Sequence, residues 1–252
     1  HITRKLLPFF KILDKHYVKR AFSSIIANSS FTRKNIQKIY NIDSKVAHLG
    51  IGTNYEEQNF IDMKEKLDCD FLFFTSGRLS PSKNFYRLIK AFAKVRTNCN
   101  YKLIIAGKGE YFKFLSKKIH DYGLRENILL PGFISDEDIF AFLKSCDIIT
   151  YLPINEPFGL VPIEGMAFSK PSIVSSIGGP SEIIKENYSG FQANPFDIKE
   201  IAWKMEYVLN NRSILKKMGY NCKKTYESRY TLEKGVNRFR KVLGIWIASW
   251  NK

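Results

Sequence analysis

One stretch of the sequence decides the fold: Phe71-Leu72-Phe73-Phe74-Thr75-Ser76-Gly77-Arg78. Its first part, Phe71–Thr75, is a continuous apolar run without polar alternation, which predicts a strand buried on both faces of a parallel sheet. The glycine that follows lets the chain turn at the carboxyl end of this strand, where α/β proteins bind ligands. The stretch therefore predicts both a buried sheet and a binding edge.

Similar apolar runs recur along the chain and alternate with helical patterns. An apolar stripe at helical spacing predicts a helix over residues 85–95 and another over 198–208, and Ser135 or Asp136 can cap a helix that runs to Lys144. This alternation indicates an α/β class with a Rossmann-like, doubly wound parallel sheet. We predict five further strands, at Lys102–Ala106, Ile128–Leu130, Ile148–Leu152, Pro171–Ser175 and Gly190–Ala193.

The two ends of the chain fit this alternation poorly. Residues 1–45 contain a short strand at Ile25–Ala27 and a helix to Tyr40, capped by Ser30 or Thr32, and are interpreted as the remnant of an earlier domain. We predict a connector at 46–55, the main domain at 56–230 and a separate final helix within 231–252. That helix has one apolar face, which should dock on the protein; its residues are Leu232, Val236, Phe239, Leu243 and Trp246.

Length and composition are those of a folded protein. The chain has 252 residues, of which 44% are hydrophobic and 25% charged, so general disorder is excluded. No apolar run approaches the ~18–20 residues of a membrane-spanning helix. Its four cysteines are far apart and form no C-x-x-C pair, which disfavours a zinc site or a disulfide framework and indicates a reducing, cytoplasmic location. The chain begins at His1 without an initiator Met, so we expect a fragment.

The net charge of +16 is concentrated at the ends. Residues 1–45 carry +8 and residues 199–252 carry +9, whereas residues 46–198 carry −1. Such ends suit an anionic membrane surface, and a lysine-rich solvated surface explains them equally well. A nucleic-acid partner is not expected, because interleaved aromatic residues and known binding motifs are missing.

Two glycine turns follow the first predicted strands. After Gly77, Arg78 and Lys83 offer a guanidinium and an ammonium that together suit a diphosphate, although two surface cations on a loop are about as plausible. Gly107 and Gly109 form a G-x-G turn at the next strand end. Their spacing matches neither a P-loop nor a complete dinucleotide fingerprint, so a tight strand-to-helix turn is an equal alternative.

Two carboxylates bracket a third turn. Glu156 precedes it and Glu164 lies about one turn into the predicted helix, where carboxylates can bind sugar hydroxyls or can simply complement the helix dipole. A fourth turn, Gly178-Gly179-Pro180-Ser181-Glu182, leads into another helix. No residues have metal-ligand spacing, and the four histidines are scattered. The sequence thus indicates a metal-independent, cofactor-free site for a phosphorylated, hydroxyl-rich ligand.

Taken in order, these motifs resemble the carboxyl-terminal half of the family 4 retaining glycosyltransferases of GT-B fold. The motifs are Gly77-Arg78 with Lys83, Gly107-x-Gly109, Leu130-Pro131-Gly132-Phe133, Glu156-Pro157-Phe158-Gly159-Leu160 with Glu164, and the Gly178–Glu182 turn. The resemblance covers residues 25 to about 230 and implies a GT-B fold with an incomplete amino-terminal domain, to which the final helix crosses back. Three positions depart from the family: Asn84 and Ser169 stand where glycine is common, and Gly165 replaces alanine.

The resemblance also implies roles for particular residues. Arg78, Lys83 and Glu156 would be the catalytic set, with the two cations on the diphosphate of a nucleotide-sugar and Glu156 near the transferred sugar. Glu164 would bind the ribose hydroxyls. The rest of the donor site would be formed by Gly77, Gly107, Gly109, Phe133 and Ile134, the last two lining the base pocket, and by backbone amides of Phe158, Gly159 and Leu160.

The implied function is retaining hexosyl transfer from a nucleoside-diphosphate sugar to a glycan or lipid-linked acceptor in cell-surface polysaccharide or glycolipid synthesis. The enzyme would be cytoplasmic or peripheral on the inner face of the membrane. An alternative is an isolated nucleotide-sugar-binding domain or accessory subunit without activity. A sugar-nucleotide epimerase of the same fold is disfavoured, because it does not need the spacing of Glu156 and Glu164.

Overall fold

The computed structural model describes residues 13–22, 25–52 and 61–244. Its amino-terminal part contains helical residues 13–21 (α1), followed by β1 (Ile26–Ala27), α2 (Ser30–Tyr40) and β2 (Lys45–Val46). Strands β1 and β2 pair in parallel as a small sheet of their own. The N-cap of α2 is Ser29, whose hydroxyl accepts a hydrogen bond from the Thr32 amide at 2.9 Å. The prediction of Ser30 or Thr32 as the cap is therefore wrong.

The main sheet has six parallel strands and confirms the predicted fold class. Its order is β5-β4-β3-β6-β7-β8, which is the Rossmann arrangement with the first strand at the centre. All six predicted strands are present, with ends shifted by no more than two residues. They are β3 (Phe71–Ser76), β4 (Tyr101–Ala106), β5 (Ile128–Gly132), β6 (Ile148–Tyr151), β7 (Ser172–Ser175) and β8 (Gly190–Ala193).

Helices cover both faces of this sheet. Ser135, one of the two predicted caps, starts α6 by accepting from the Asp138 amide at 3.1 Å. A 3₁₀ turn (Pro81–Lys83) and a π-helical turn (Tyr226–Tyr230) precede α4 and α11. The helices are α3 (Met63–Leu67), α4 (Phe85–Phe92), α5 (Phe112–Asp121), α6 (Asp136–Ser145), α7 (Val161–Ala167), α8 (Pro180–Ile183), α9 (Ile198–Asn210), α10 (Ser213–Thr225) and α11 (Leu232–Leu243).

The central strand β3 joins the two halves of the core. Phe71 and Phe73 point into one apolar cluster together with residues of α4 and α9. Leu72 and Phe74 point into the other cluster with residues of α6 and α7, and Phe74 stacks on Phe142 with ring centroids 5.3 Å apart. Burial of each such side chain contributes roughly 1.5–3 kcal/mol, so β3 anchors both layers.

The order in which strands are added to the sheet changes direction at β3, and this determines where the site lies. From β3 the connections run one way through β4 to β5 and the other way through β6 to β8. Helices on the two sides of this switch point cover opposite faces, which leaves a crevice beyond the carboxyl ends of the strands. The loops after β3, β4 and β6 therefore meet there.

The final helix α11 does not bury the predicted apolar face. Leu232 and Leu243 are 56% and 54% exposed, and Trp246 lies outside the described residues. The helix instead packs through Gly235, where an added Cβ would lie 2.5 Å from the Gly50 nitrogen. Arg238 adds a hydrogen bond at 3.0 Å to the His48 carbonyl. Within the described ranges, no helix combines the length and apolar character that crossing a membrane requires.

Candidate functional site

A cavity of about 610 Å³ lies at the carboxyl ends of β3, β4 and β5. It brings together six of the residues that the sequence singled out, although they come from three separate loops. An additional isoleucine from α6 completes the apolar wall. The lining residues are Ser76, Gly77, Arg78, Ala106, Gly107, Lys108, Gly109, Phe133, Ile134 and Ile139.

The floor of the cavity is backbone packed directly on backbone. A Cβ added at Gly107 would lie 1.9 Å from the Gly77 oxygen, and one added at Gly109 would lie 2.3 Å from the Leu79 oxygen. The Leu79 amide donates to the Lys108 carbonyl at 3.0 Å, so the two loops are also hydrogen-bonded. This close approach therefore requires glycine at both positions of the G-x-G turn.

An aromatic ring stands at the mouth of the cavity. The Phe133 side chain is 72% exposed, and the Lys108 ammonium lies 5.0 Å from its ring centroid. Ile134 and Ile139 lie behind it in the same wall. An exposed ring beside apolar side chains offers a flat surface on which a planar ligand group can stack.

Lys83 lies beside the cavity and is held by two partners. Its ammonium forms an ion pair with Glu156 at 2.6 Å and donates to the Tyr151 hydroxyl at 3.0 Å. The Lys83 and Glu156 side chains are only 22% and 18% exposed. Burial, and secondarily the Glu156 carboxylate, raise the pKa of Tyr151, so this phenol stays neutral.

Arg78 differs from Lys83 in being largely free. Its side chain is 75% exposed, and its contact with the Glu110 carboxylate is long, at 3.5 Å. Surface pairs of this kind contribute only about 0–1 kcal/mol. The guanidinium can therefore leave Glu110 at little cost and turn toward an anion in the cavity.

The loop after β6 presents backbone donors. In the described part of the chain, no acceptor lies within hydrogen-bonding distance of the amides of Phe158, Gly159 and Leu160, which precede α7. Glu164 lies one turn into this helix, and burial raises the pKa of its carboxyl group. Unpaired amides at a turn attract anions, and a half-buried carboxylate can accept hydrogen bonds from hydroxyl groups.

Two of the three departures from the family have a clear backbone basis. Asn84 and Ser169 adopt left-handed conformations, with φ of 63° and 58°, where glycine has no steric cost. Asn84 compensates through its side chain, which donates to the Leu152 and Pro195 carbonyls at 2.9 and 2.8 Å. Asparagine tolerates such conformations better than most residues.

The structure adds residues that the sequence did not single out. Tyr151 was placed only as a strand residue, and His48 was counted among scattered histidines, yet both lie against the loop that carries Glu156. Their partners are distant in sequence, so local patterns gave no signal. Among residues 13–22, 25–52 and 61–244, no group of three or more His, Cys, Asp or Glu side chains is placed to hold a metal ion.

Comparisons with known proteins agree with this geometry. Residues 57–225 match the family described as "Glycosyl transferases group 1". An uncharacterised glycosyltransferase of Methanocaldococcus jannaschii is 32% identical over 72% of this chain and 47% of its own length. The O-antigen chain mannosyltransferase RfbU of Salmonella typhimurium is 29% identical over 76% of this chain and 52% of its own. The chain thus spans about half the length of the relatives it matches.

Solved structures share the fold. Anabaena HepE, crystallised in complex with UDP-glucose, superposes with a TM-score of 0.83 over 94% of this chain and 67% of its own, at 22% identity. At that identity the likeness concerns the fold alone.

Substituting Gly107 by alanine tests the backbone floor. Since the new Cβ would overlap the Gly77 carbonyl, we expect a loss of about 2–4 kcal/mol in unfolding free energy. Urea denaturation measures it. Gly123→Ala is the matched control, because Gly123 also has positive φ (68°) but nothing within 4 Å of the new atom. Its expected loss is about 1 kcal/mol, and equal losses at both sites would contradict the close approach.

Proposed function

The chain belongs to the group 1 glycosyltransferases, and on that premise we propose that it transfers a sugar from a nucleoside-diphosphate sugar to an acceptor hydroxyl, with retention of anomeric configuration. The observation that carries the proposal is the cavity at the ends of β3–β5, with Arg78 in its wall and Lys83 beside it. The crystallised complex of HepE with UDP-glucose supports a donor of this class. Relatives that include mannosyltransferases of glycan synthesis support a hexose as the transferred group.

The proposed donor lies across the site from base to sugar. Its base stacks at Phe133 and Ile134, and its ribose hydroxyls donate to Glu164. The diphosphate lies between, near Arg78 and the amides of Phe158, Gly159 and Leu160. The sugar lies beside Glu156.

The proposed chemistry follows from where charge develops. When the bond from sugar C1 to phosphate breaks, the electron pair remains on the nucleoside diphosphate, which gains negative charge. Arg78, Lys83 and the amides before α7 stabilise that charge more than they stabilise the ground state. The acceptor hydroxyl then attacks C1 from the same face and passes its proton to the departing diphosphate oxygen.

The ion pair of Lys83 with Glu156 gives this step a further property. Lys83 is held by Glu156 and Tyr151, so its ammonium is oriented toward the loop that would receive the sugar. A preorganised cation needs little rearrangement as charge develops, which favours catalysis.

The alternative is a donor-binding domain without activity of its own. The part of this chain that matches covers 47% and 48% of the length of two relatives, and it is the part that carries the proposed donor cavity. Slow hydrolysis of bound donor separates the two. Hydrolysis by this chain that is lost in Arg78→Ala and Lys83→Ala would indicate a catalytic site, whereas binding without hydrolysis would indicate a binding site.

The acceptor is proposed to be a glycan or a lipid-linked sugar reached at an anionic membrane. The support is charge: exposed lysines and arginines occupy α10 and α11, and α1 adds others. Each cation near an anionic leaflet contributes about 1 kcal/mol, so a few suffice for reversible docking.

Replacing Arg78 by alanine tests the diphosphate contact. We expect the Kd of the preferred nucleotide among UDP, GDP and ADP to rise by roughly 10- to 150-fold, as for loss of a charge-assisted hydrogen bond. Lys83→Ala should cost more, because it also leaves Glu156 unneutralised beside the phosphates. Arg125→Ala is the control. That exposed arginine precedes β5, so it lies at the amino end of the strands, away from the cavity at their carboxyl ends. Unchanged calorimetric affinity in Arg78→Ala would sink the assignment.

Glu164→Gln tests the ribose contact. The change keeps the shape but removes the charged acceptor, so nucleotide binding should weaken while inorganic pyrophosphate binding stays the same. Because burial raises the pKa of Glu164, wild-type nucleotide affinity should begin to fall on acidification above the usual glutamate value of about 4.3. The variant should lack that loss. If nucleotide binding and pyrophosphate binding weaken equally in the variant, Glu164 has a structural role instead.

Vesicle sedimentation tests the membrane proposal. Binding should need anionic lipid and should fade as salt approaches ~0.5 M, where the Debye length falls below ~5 Å. Reversing two charges on α11, Arg240→Glu with Lys241→Glu, should weaken it. Reversing Lys113 and Lys117 on α5, in the neutral part of the chain, should not. Partitioning onto neutral vesicles to the same extent would refute the proposal.

A further inference from the structure

The amino-terminal segment touches the loop that carries Glu156. Ser29, which is fully buried, accepts from the Thr32 amide and donates through its hydroxyl to the Pro157 carbonyl. The Thr32 hydroxyl lies 3.3 Å from the same carbonyl. One serine thus caps α2 and holds the backbone of the loop 128 residues away in sequence.

Glu182 makes the reciprocal contact from the main domain. Its two carboxylate oxygens accept from the Ser30 and Phe31 amides at 2.9 and 2.7 Å, at the amino end of α2. The His48 ring nitrogen lies 3.2 Å from the same carboxylate. Burial opposes ionisation, but these hydrogen bonds outweigh it and lower the pKa of Glu182, so the carboxylate is charged where the helix dipole favours it.

The turn that bears Glu182 is packed on the same loop. The Gly179 amide donates to the Glu156 carbonyl at 2.8 Å. An added Cβ at Gly178 would lie 2.7 Å from that carbonyl oxygen, and one at Gly179 would lie 2.3 Å from the Phe158 Cα. The two glycines therefore let the turn sit directly against the loop, with no side chain between them.

A ring contact closes the arrangement. His48 stacks on Phe158, with ring centroids 5.6 Å apart and an interplanar angle of 16°. Phe158 itself is buried. The loop is thus held at Pro157 by α2, at Glu156 by the glycine turn and at Phe158 by His48.

We propose that Ser29 and Glu182 are positioning residues for the proposed donor site. Together they fix the backbone of residues 156–158 relative to the amino-terminal segment, and through it the Glu156 carboxylate and the free amides that follow. This inference rests on the proposed function, because it assigns the loop to the sugar end of the donor. The cavity walls at Gly77, Gly107 and Phe133 receive no contact from either residue, so the base end of the donor site is independent of this clamp, whereas the diphosphate shares the loop amides with it.

The test compares hydrogen exchange of Glu182→Ala and Ser29→Ala with that of Asp197→Ala. Asp197 is a matched control: its carboxylate accepts from two amides, of Lys199 and Glu200, at the start of α9, yet it does not contact the loop. Each change should speed exchange at the amino end of the helix whose amides the side chain accepts from, which is α2 for Glu182 and Ser29 and α9 for Asp197. Only the first two should also speed exchange of two amides that report on the loop, by about fivefold or more, whereas β4 stays unchanged in all three. These are the Ile154 amide, which donates to the Ser82 carbonyl at 2.8 Å, and the Gly179 amide, which donates to the Glu156 carbonyl at 2.8 Å.

A calorimetric readout separates positioning from general loosening. In Glu182→Ala, we expect the Kd of UDP-glucose to rise about tenfold and that of UDP to rise only about threefold, because UDP uses the loop amides but lacks the sugar that lies beside Glu156. Equal losses for both ligands would overturn the positioning role. So would unchanged exchange of the Ile154 and Gly179 amides in both clamp variants.

Failure of the clamp and failure of the proposed function are distinguishable. The exchange experiment contains no ligand, so it decides the clamp even if the wild-type chain binds neither UDP nor UDP-glucose. If wild type binds both and exchange in the loop is unaffected, the clamp is wrong and the donor site stands. Should Glu182→Ala fail to fold, Ser29→Ala decides alone, since its hydroxyl touches the loop directly.

Discussion

The structure depends on the approach of two backbone loops at the end of the central strands. Gly107 and Gly109 let the loop after β4 lie against the oxygens of Gly77 and Leu79, closer than any side chain would permit. Because these loops form the cavity floor, the distance between them sets the position of Arg78 on one side and of the Phe133 wall on the other. The six-stranded sheet and its two apolar layers hold that floor rigidly, since β3 contributes alternate side chains to both layers.

The two cations beside this floor differ in how far they are buried, and the difference affects how each can bind a phosphate. Lys83 is enclosed with Glu156 and Tyr151, whereas Arg78 stands largely in solvent. A partly buried pair resists rearrangement, because separating it would leave a charge in a poorly hydrated site. An exposed guanidinium moves freely and can form two parallel bonds to a phosphate. The proposed donor site therefore combines one fixed cation and one adaptable cation at the place where negative charge would develop.

The main domain and the amino-terminal segment share the loop between β6 and α7. Ser29 and His48 contact it from the amino-terminal part of the chain, and the turn that bears Glu182 contacts it from the main domain. Such a loop is less free than an ordinary surface connection, because its carbonyls and rings are engaged while its amides remain open. A shift of the amino-terminal segment would thus be transmitted to Glu156 through the hydrogen bonds of Ser29 with Pro157 and of Gly179 with Glu156.

The sequence by itself determined the class of fold, the six strands and the order of the glycine turns. It could do so because the burial of a strand and the conformation of a turn depend on residues that are neighbours in the chain. It also placed Gly77, Arg78, Gly107, Gly109, Phe133 and Ile134 at strand ends that the topology brings to one cavity. Only the tertiary structure decided that Lys83 pairs with Glu156, 73 residues away, and that Glu182 meets α2 across 151 residues. The exposed face of α11 shows the same limit, since a helical stripe predicts amphipathic character but not the surface that covers it. Contacts of this range depend on how whole layers pack, and no local pattern encodes that packing.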